Sequence, residues 1–171
     1  SSNKLIETDR SGLVAGYVGQ TALKTREVIE SAIGGVLFID EAYSLAQGGE
    51  RDFGQEAIDT LVKMMDDNRD RLVVILAGYY DDMQHFLEQN AGLQSRFPNV
   101  IEFEDYTTEE LLAIAEKMYS SQGYLLDAGA EEKLKVLFTE RKKMKNFGNG
   151  RYVRNVYEHS LNAQAMRLSN V

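Results

Sequence analysis

The chain has 171 residues, 43% apolar and 27% charged, enough to bury one substantial core or one core with a small appendage. Its formal net charge of −8 argues against non-specific binding to nucleic acid or an anionic membrane, and the absence of cysteine excludes a disulfide framework and thiolate-ligated zinc. The two histidines, His85 and His159, lie too far apart to read as a metal-ligand pair, and no apolar run approaches the roughly 20 residues of a membrane span, so a cytosolic domain with no membrane or nucleic-acid partner is expected.

Residues 4–9, KLIETD, alternate weakly and read as a short strand, followed by the Gly-punctuated loop RSGLVAGYVGQT. Leu23, Val28, Ile29 and Ala32 recur at helical spacing and predict a helix over 21–33, stopped by Gly34-Gly35. A second strand follows at 36–40, a polar Gly-rich loop at 46–54, and a helix at 55–68 with Ile58, Leu61, Val62 and Met65 on one face. RLVVILAGY, 71–79, is a third strand, apolar on both faces, and 80–93 make one or two short helices. The only proline, Pro98, precedes a fourth strand at 99–103. This alternation is that of an α/β domain whose parallel sheet is covered on both sides. After Asp105 only helical patterns remain: 109–120 with Thr108 as its cap, 128–145 ending in the basic run RKKMK, and 151–168 opened by GNG. Basic residues at a helix C-terminus suit the macrodipole, so that run needs no nucleic acid to explain it.

The stretch GGVLFIDEAYSL drives four apolar residues, Val36 to Ile39, straight into Asp40 and Glu41. In open parallel sheets ligands bind at the carboxyl ends of strands, where this pair would stand. A buried strand ending in Asp-Glu matches the Walker B pattern, in which the Asp holds Mg²⁺ through its water shell and the Glu polarises the attacking water. Many strands also end in a merely solvated acid, so the motif alone leaves both readings open.

The ordered set FIDEA, VVILAGY, LQSRF and GNGR resembles the AAA+ ATPase family over nearly the whole chain. DRSGLVAGYVGQTALKT, GGVLFIDEAYSL, ERDFGQEAI and LVVILAGY resemble its CbbX and stage V sporulation protein K-like subfamily, which also includes type VII secretion ATPases. The resemblance implies an α/β core over 1–105 and a helical lid over 106–171, with ATP and Mg²⁺ as cofactors and a homo-oligomeric, hexameric ring. It places Tyr17, Val18 and Gly19 in the aromatic–hydrophobic–Gly pore loop, where an aromatic grips a peptide by area rather than sequence. A tyrosine packing a turn is the plainer alternative. Glu50, Arg51 and Asp52 would form a second pore loop or simply a solvated one. Arg96 falls on the arginine finger, which stabilises transition-state charge on a neighbour's γ-phosphate. Arg151 matches sensor 2, with Arg154 one turn later as its rival. Sensor 1 departs from the family's usual Asn, Ser or Thr: Tyr79 aligns there, with Asp81 and Asp82 as alternatives.

No G-x-x-x-x-G-K-[ST] phosphate loop occurs in the chain. In the family's order that loop and the first strand precede everything seen here, so the chain reads as a fragment of a longer ATPase. With a sheet order of 5-1-4-3-2, the absent strand belongs between 71–79 and 99–103. Such a fragment is expected to bind ATP weakly or not at all, to be inactive alone, and to close the gap by re-pairing strands, swapping an element or oligomerising. The leading expectation is a subunit that remodels or threads a client protein of unspecified identity. A non-catalytic AAA-like assembly module is the alternative. A receiver-like domain fits poorly, because only Asp9 lies near the first strand and no Lys follows the last.

Overall fold

A computed structural model describes residues 4–49 and 52–169 as two compact units, split between Ile101 and Glu102. In the first, β1 (Leu5–Thr8), β2 (Val36–Ile39) and β3 (Val73–Leu76) form a parallel sheet in the order β1-β2-β3. The register aligns Thr8, Ile39 and Leu76, so the three strands end in one row. The connections are α1 (Arg10–Leu13), α2 (Gln20–Ala32), a 3₁₀ helix (Ala42–Ala46) and α3 (Gly54–Asp67), with α4 (Tyr80–Gln89) and α5 (Ala91–Gln94) after β3. The long helices fall where the apolar periodicity predicts, whereas α1 occupies a segment read as loop and the 3₁₀ helix falls mostly between the second strand and the loop at 46–54, where the sequence assigns no element. Both are single turns, too short to show a helical period.

The core lies on one side of the sheet. Leu37 and Ile39 are fully buried there with Ile29 and Ala32 of α2 and Ile58, Leu61 and Met64 of α3, and Ile6, Val74 and Leu76 pack against them. The opposite face carries Leu5, Val36 and Val73 in one row and Glu7, Phe38 and Ile75 in the next. Val73 is 57% and Ile75 44% exposed, so the expectation of a sheet covered on both faces is corrected. Residues 99–103 form no strand; Val100, Ile101 and Phe103 are exposed, and no described segment pairs with the far edge of β3. A strand is held by its ladder partners, and this segment has none among the described residues.

The second unit is helical: α6 (Thr108–Ser121), α7 (Ala128–Arg141) and α8 (Gly150–Ser169) enclose Leu111, Ala115, Phe138, Phe147 and Val153. The cap of α6 is Thr107 rather than Thr108. The Thr107 hydroxyl accepts from the Glu110 N–H at 3.1 Å while the Glu110 carboxylate accepts from the Thr107 N–H at 2.8 Å, a reciprocal box that a cap one residue later would lose. Tyr119 packs edge-on against Tyr157 at 5.0 Å and shares a 2.6 Å hydrogen bond with Ser160, tying α6 to α8. Among the described residues no helix is long and apolar enough to cross a membrane.

Gly54 opens α3 where the helix meets the 3₁₀ turn: a Cβ there would stand 1.8 Å from the Leu45 carbonyl oxygen. Gly54→Ala should therefore destabilise the first unit by about 1–3 kcal/mol, read as a lower urea midpoint at unchanged m-value.

Candidate functional site at the carboxyl edge of the sheet

Asp40 and Glu41 follow β2 at the carboxyl edge, both exposed. The ladder continues through them: the Asp40 N–H donates to the Thr8 carbonyl at 2.9 Å and the Ala42 N–H to the Ala77 carbonyl at 3.2 Å. Between those anchors Glu41 takes a left-handed conformation, φ 48° and ψ 49°, and its N–H donates to Asp40 Oδ1 at 3.0 Å. A non-glycine residue in this region costs on the order of 1–3 kcal/mol and persists where its surroundings over-determine it. Here two ladder bonds, one on either side, impose the sharp turn from strand to 3₁₀ helix.

Three further groups share this edge. Tyr43 lies on the 3₁₀ helix, and its hydroxyl is pushed above the usual tyrosine range by burial and by Glu41, Asp82, Tyr79 and Asp40. Tyr79, half-buried after β3, precedes α4, whose first turn holds the alternatives Asp81 and Asp82. Asp9 follows β1 and caps α1; the Ser11 hydroxyl and the Gly12 N–H hold its carboxyl below the ordinary value. Tyr43 stands two residues beyond Glu41 in the same stretch, whereas Asp9 is brought beside the pair by the strand register.

Tyr17 and Val18 are 73% and 86% exposed at the tip of the loop between α1 and α2. The base of that loop is gripped by α2. The Ala15 N–H donates to Thr21 Oγ1 at 2.9 Å, Thr25 Oγ1 donates to the Leu13 carbonyl at 2.9 Å, and Lys24 Nζ donates to the Ser11 and Val14 carbonyls at 2.7 and 3.2 Å. Gly19, at φ 76°, turns the tip into α2 in a conformation a side chain would strain. The tyrosine does not pack into the domain, and the alternative of a turn-packing role loses its support.

The second loop is tied down as well. Arg10 donates through Nη1 to the Ser44 carbonyl at 2.7 Å and to Asp52 Oδ2 at 3.2 Å, and Nη2 pairs with Asp52 Oδ1. These bonds hold the Asp52 carboxyl below the ordinary range. Asp52 is thus a half-buried clamp and not a freely solvated residue, while Glu50 and Arg51 lie outside the described residues. Arg10 links the entry to the Tyr17 loop, the 3₁₀ helix after Glu41 and the loop before α3.

Arg96 follows α5. Its Nε donates to Asp66 Oδ1 at 3.0 Å, Nη2 to Asp66 Oδ2 at 2.5 Å and Nη1 to the Gly92 carbonyl at 2.7 Å. Asp66 also accepts from Arg69 at 3.2 Å. Asp66 lies in the last turn of α3, which starts near the carboxyl edge and runs 14 residues, about 20 Å, back toward the start of β3. Arg96 is therefore held at the opposite end of the sheet from Asp40 and Glu41. In the helical unit Arg151 and Arg154 are both exposed on the first turns of α8. Asn149 sets the start of that helix. Its side chain donates to Asp105 at 2.7 Å and accepts from the Tyr106 N–H at 3.0 Å.

Among the described residues no group of three or more Asp, Glu or His side chains could hold a metal ion, and Asp40 is one exposed carboxylate donor at this edge, beside Glu41. That donor suits magnesium, which keeps most of its waters and takes few protein oxygens.

The sequence profile of the ATPase family associated with various cellular activities (AAA) matches residues 1–105, and that of the AAA lid domain matches 107–171. The chain belongs to the AAA ATPase family. Among AAA relatives, stage V sporulation protein K of Bacillus subtilis (strain 168) is 54% identical over 98% of this chain and 53% of its own length. Protein CbbX of Cereibacter sphaeroides is 47% identical over 96% of the chain and 53% of its own length. The ESX-1 secretion system protein EccA1 of Mycobacterium tuberculosis (strain ATCC 25618 / H37Rv) is 47% identical over 98% of the chain and 31% of its own length. The chain thus spans about half or less of these AAA proteins.

The Arg96 hydrogen bonds hold the Asp66 carboxyl at about 2 instead of 3.8. A carboxyl depressed by folding stabilises the native state above its unfolded value, and that contribution disappears as pH falls from about 4 through about 2. NMR titration of the Asp66 carboxyl carbon should show a midpoint near 2, moved up toward 3.8 in Arg96→Ala.

Proposed function

We propose that these residues are the greater part of the ATPase module of a longer AAA protein, which hydrolyses Mg-ATP as a homo-oligomeric, hexameric ring and remodels or threads a client protein past Tyr17. The observation that carries this reading is the separation of Arg96 from the acidic pair. A cation at one end of the sheet and carboxylates at the other cannot meet within one chain. They can meet head-to-tail between copies, and a repeated head-to-tail contact closes into a ring. Asp40 would hold the magnesium ion through water, Glu41 would orient the attacking water, and Arg96 of the next copy would neutralise charge developing on the γ-phosphate. A magnesium ion held at Asp40 would supply electrostatic stabilisation of the charge on the terminal phosphates. Arg151, with Arg154 as its alternative, would reach the nucleotide from the helical lid, and Tyr79 would orient a water near the Glu41 turn.

The open edge of β3 and the apolar face bearing Val36, Phe38, Val73 and Ile75 support a further strand and helix against them, carrying the phosphate cradle that this sequence lacks. The pore reading rests on the exposed tip Tyr17-Val18 over a hydrogen-bonded base. The relatives' names point to sporulation and to secretion, and they do not select a client.

In the full-length protein Glu41→Gln should cut ATP turnover by about 10²–10⁴-fold while nucleotide binding persists, and Arg96→Ala should cut it by roughly 10³–10⁵-fold. Wild-type turnover in Glu41→Gln would remove that residue from the mechanism. Residues 1–171 alone should show no tight binding of Mg-ATP by calorimetry and should self-associate in light scattering; tight binding by a stable monomer would refute the fragment reading.

A further inference from the structure

We propose that Asp66 is a positioning residue for Arg96, gripping one edge of the guanidinium so that its remaining donors stand ready for a phosphoryl oxygen on a neighbouring copy. The inference rests on the arginine-finger reading and deepens it. The stereochemistry is specific. A guanidinium has five N–H bonds in a planar fork. Asp66 takes the Nε bond and one Nη2 bond, and the Gly92 carbonyl takes one Nη1 bond. Two remain, one on each terminal nitrogen, and such a pair can meet an oxyanion bidentately. The side chain is still 28% exposed, so those donors are not buried against the protein.

Both partners are held on rigid supports. Asp66 stands on α3, which is wedged into the core by Ile58, Leu61 and Met64. Arg96 is bracketed by Leu93, 1% exposed, and Phe97, both packed on that same core, and its N–H donates to the Leu93 carbonyl at 2.9 Å. A long, flexible arginine is thereby restricted before any phosphate arrives, which removes most of the ordering that a charge-stabilising contact would otherwise require at the transition state. Asp66 keeps this bond across the working pH range, since its carboxyl is ionised far below neutrality. Arg69 shares the carboxylate from an exposed position and makes one long contact, so it is not needed for the grip.

The test uses the full-length protein, with ATP turnover measured at protein concentrations above assembly. Asp66→Asn should lower kcat between about 10- and 100-fold with the KM for ATP unchanged, because the group it positions acts on a neighbour's transition state. Asp66→Glu should recover most of that loss, and Arg69→Ala should leave turnover at its wild-type value. In the Arg96→Ala background Asp66→Asn should cost nothing further, a non-additivity that a merely structural Asp66 would not produce. Arg96→Ala at wild-type turnover would sink the finger reading itself. A low Arg96→Ala rate beside a wild-type or raised Asp66→Asn rate would overturn the positioning role alone, the raised rate showing that Asp66 holds the arginine back.

Discussion

The parallel ladder centred on β2 is the constraint on which the rest of the first unit depends. Its register ends Thr8, Ile39 and Leu76 in one row, and every segment leaving that row carries polar groups to the same edge. Asp9, Asp40, Glu41 and Tyr79 have no sequence proximity beyond one adjacent pair. They become neighbours because three strands of four residues stop together. The strained Glu41 turn is a consequence of the same ladder, since the bonds to Thr8 and Ala77 leave one residue to make the bend.

Around that frame the loops are selectively restrained. Thr21, Lys24 and Thr25 are three residues on neighbouring turns of α2, and together they hold the base of the Tyr17 loop while its tip stays exposed. Arg10 joins the entry to that loop to the 3₁₀ helix directly after Glu41 and to Asp52. One guanidinium thus ties the segment after the acidic turn to both loops by hydrogen bonds and a charge-assisted pair. The helical unit builds its own rigid support for Arg151 by the same means, with Asn149 fixing the first turn of α8 against residues 105 and 106.

The sheet is unfinished by the standards of a parallel α/β fold. Such sheets are covered on both faces, and their apolar runs are written for that burial. Val73 and Ile75 obey the pattern in sequence yet stand exposed, on the face opposite the one that α2 and α3 cover. Residues 99–103 show the same conflict: the composition of a strand without a ladder. Both fit a chain that spans about half the length of stage V sporulation protein K and of protein CbbX.

The amino-acid sequence by itself determined the alternation of elements, the long helices, the acidic pair at the end of β2 and the ordered motifs that resemble the AAA family. These are local signals, written in periodicity and in short strings of adjacent residues. Only the tertiary structure decided that Arg96 is held by Asp66 thirty residues away, that Arg10 reaches Ser44 and Asp52, that Asp9 shares the acidic edge, and that Thr107 rather than Thr108 caps α6. Pairings across such separations leave no periodic trace, and between two adjacent threonines the choice of cap depends on where Glu110 can reach back. The exposed face and the absent fourth strand were also beyond the sequence, because whether an apolar strand is buried depends on what lies beside it and not on its own residues.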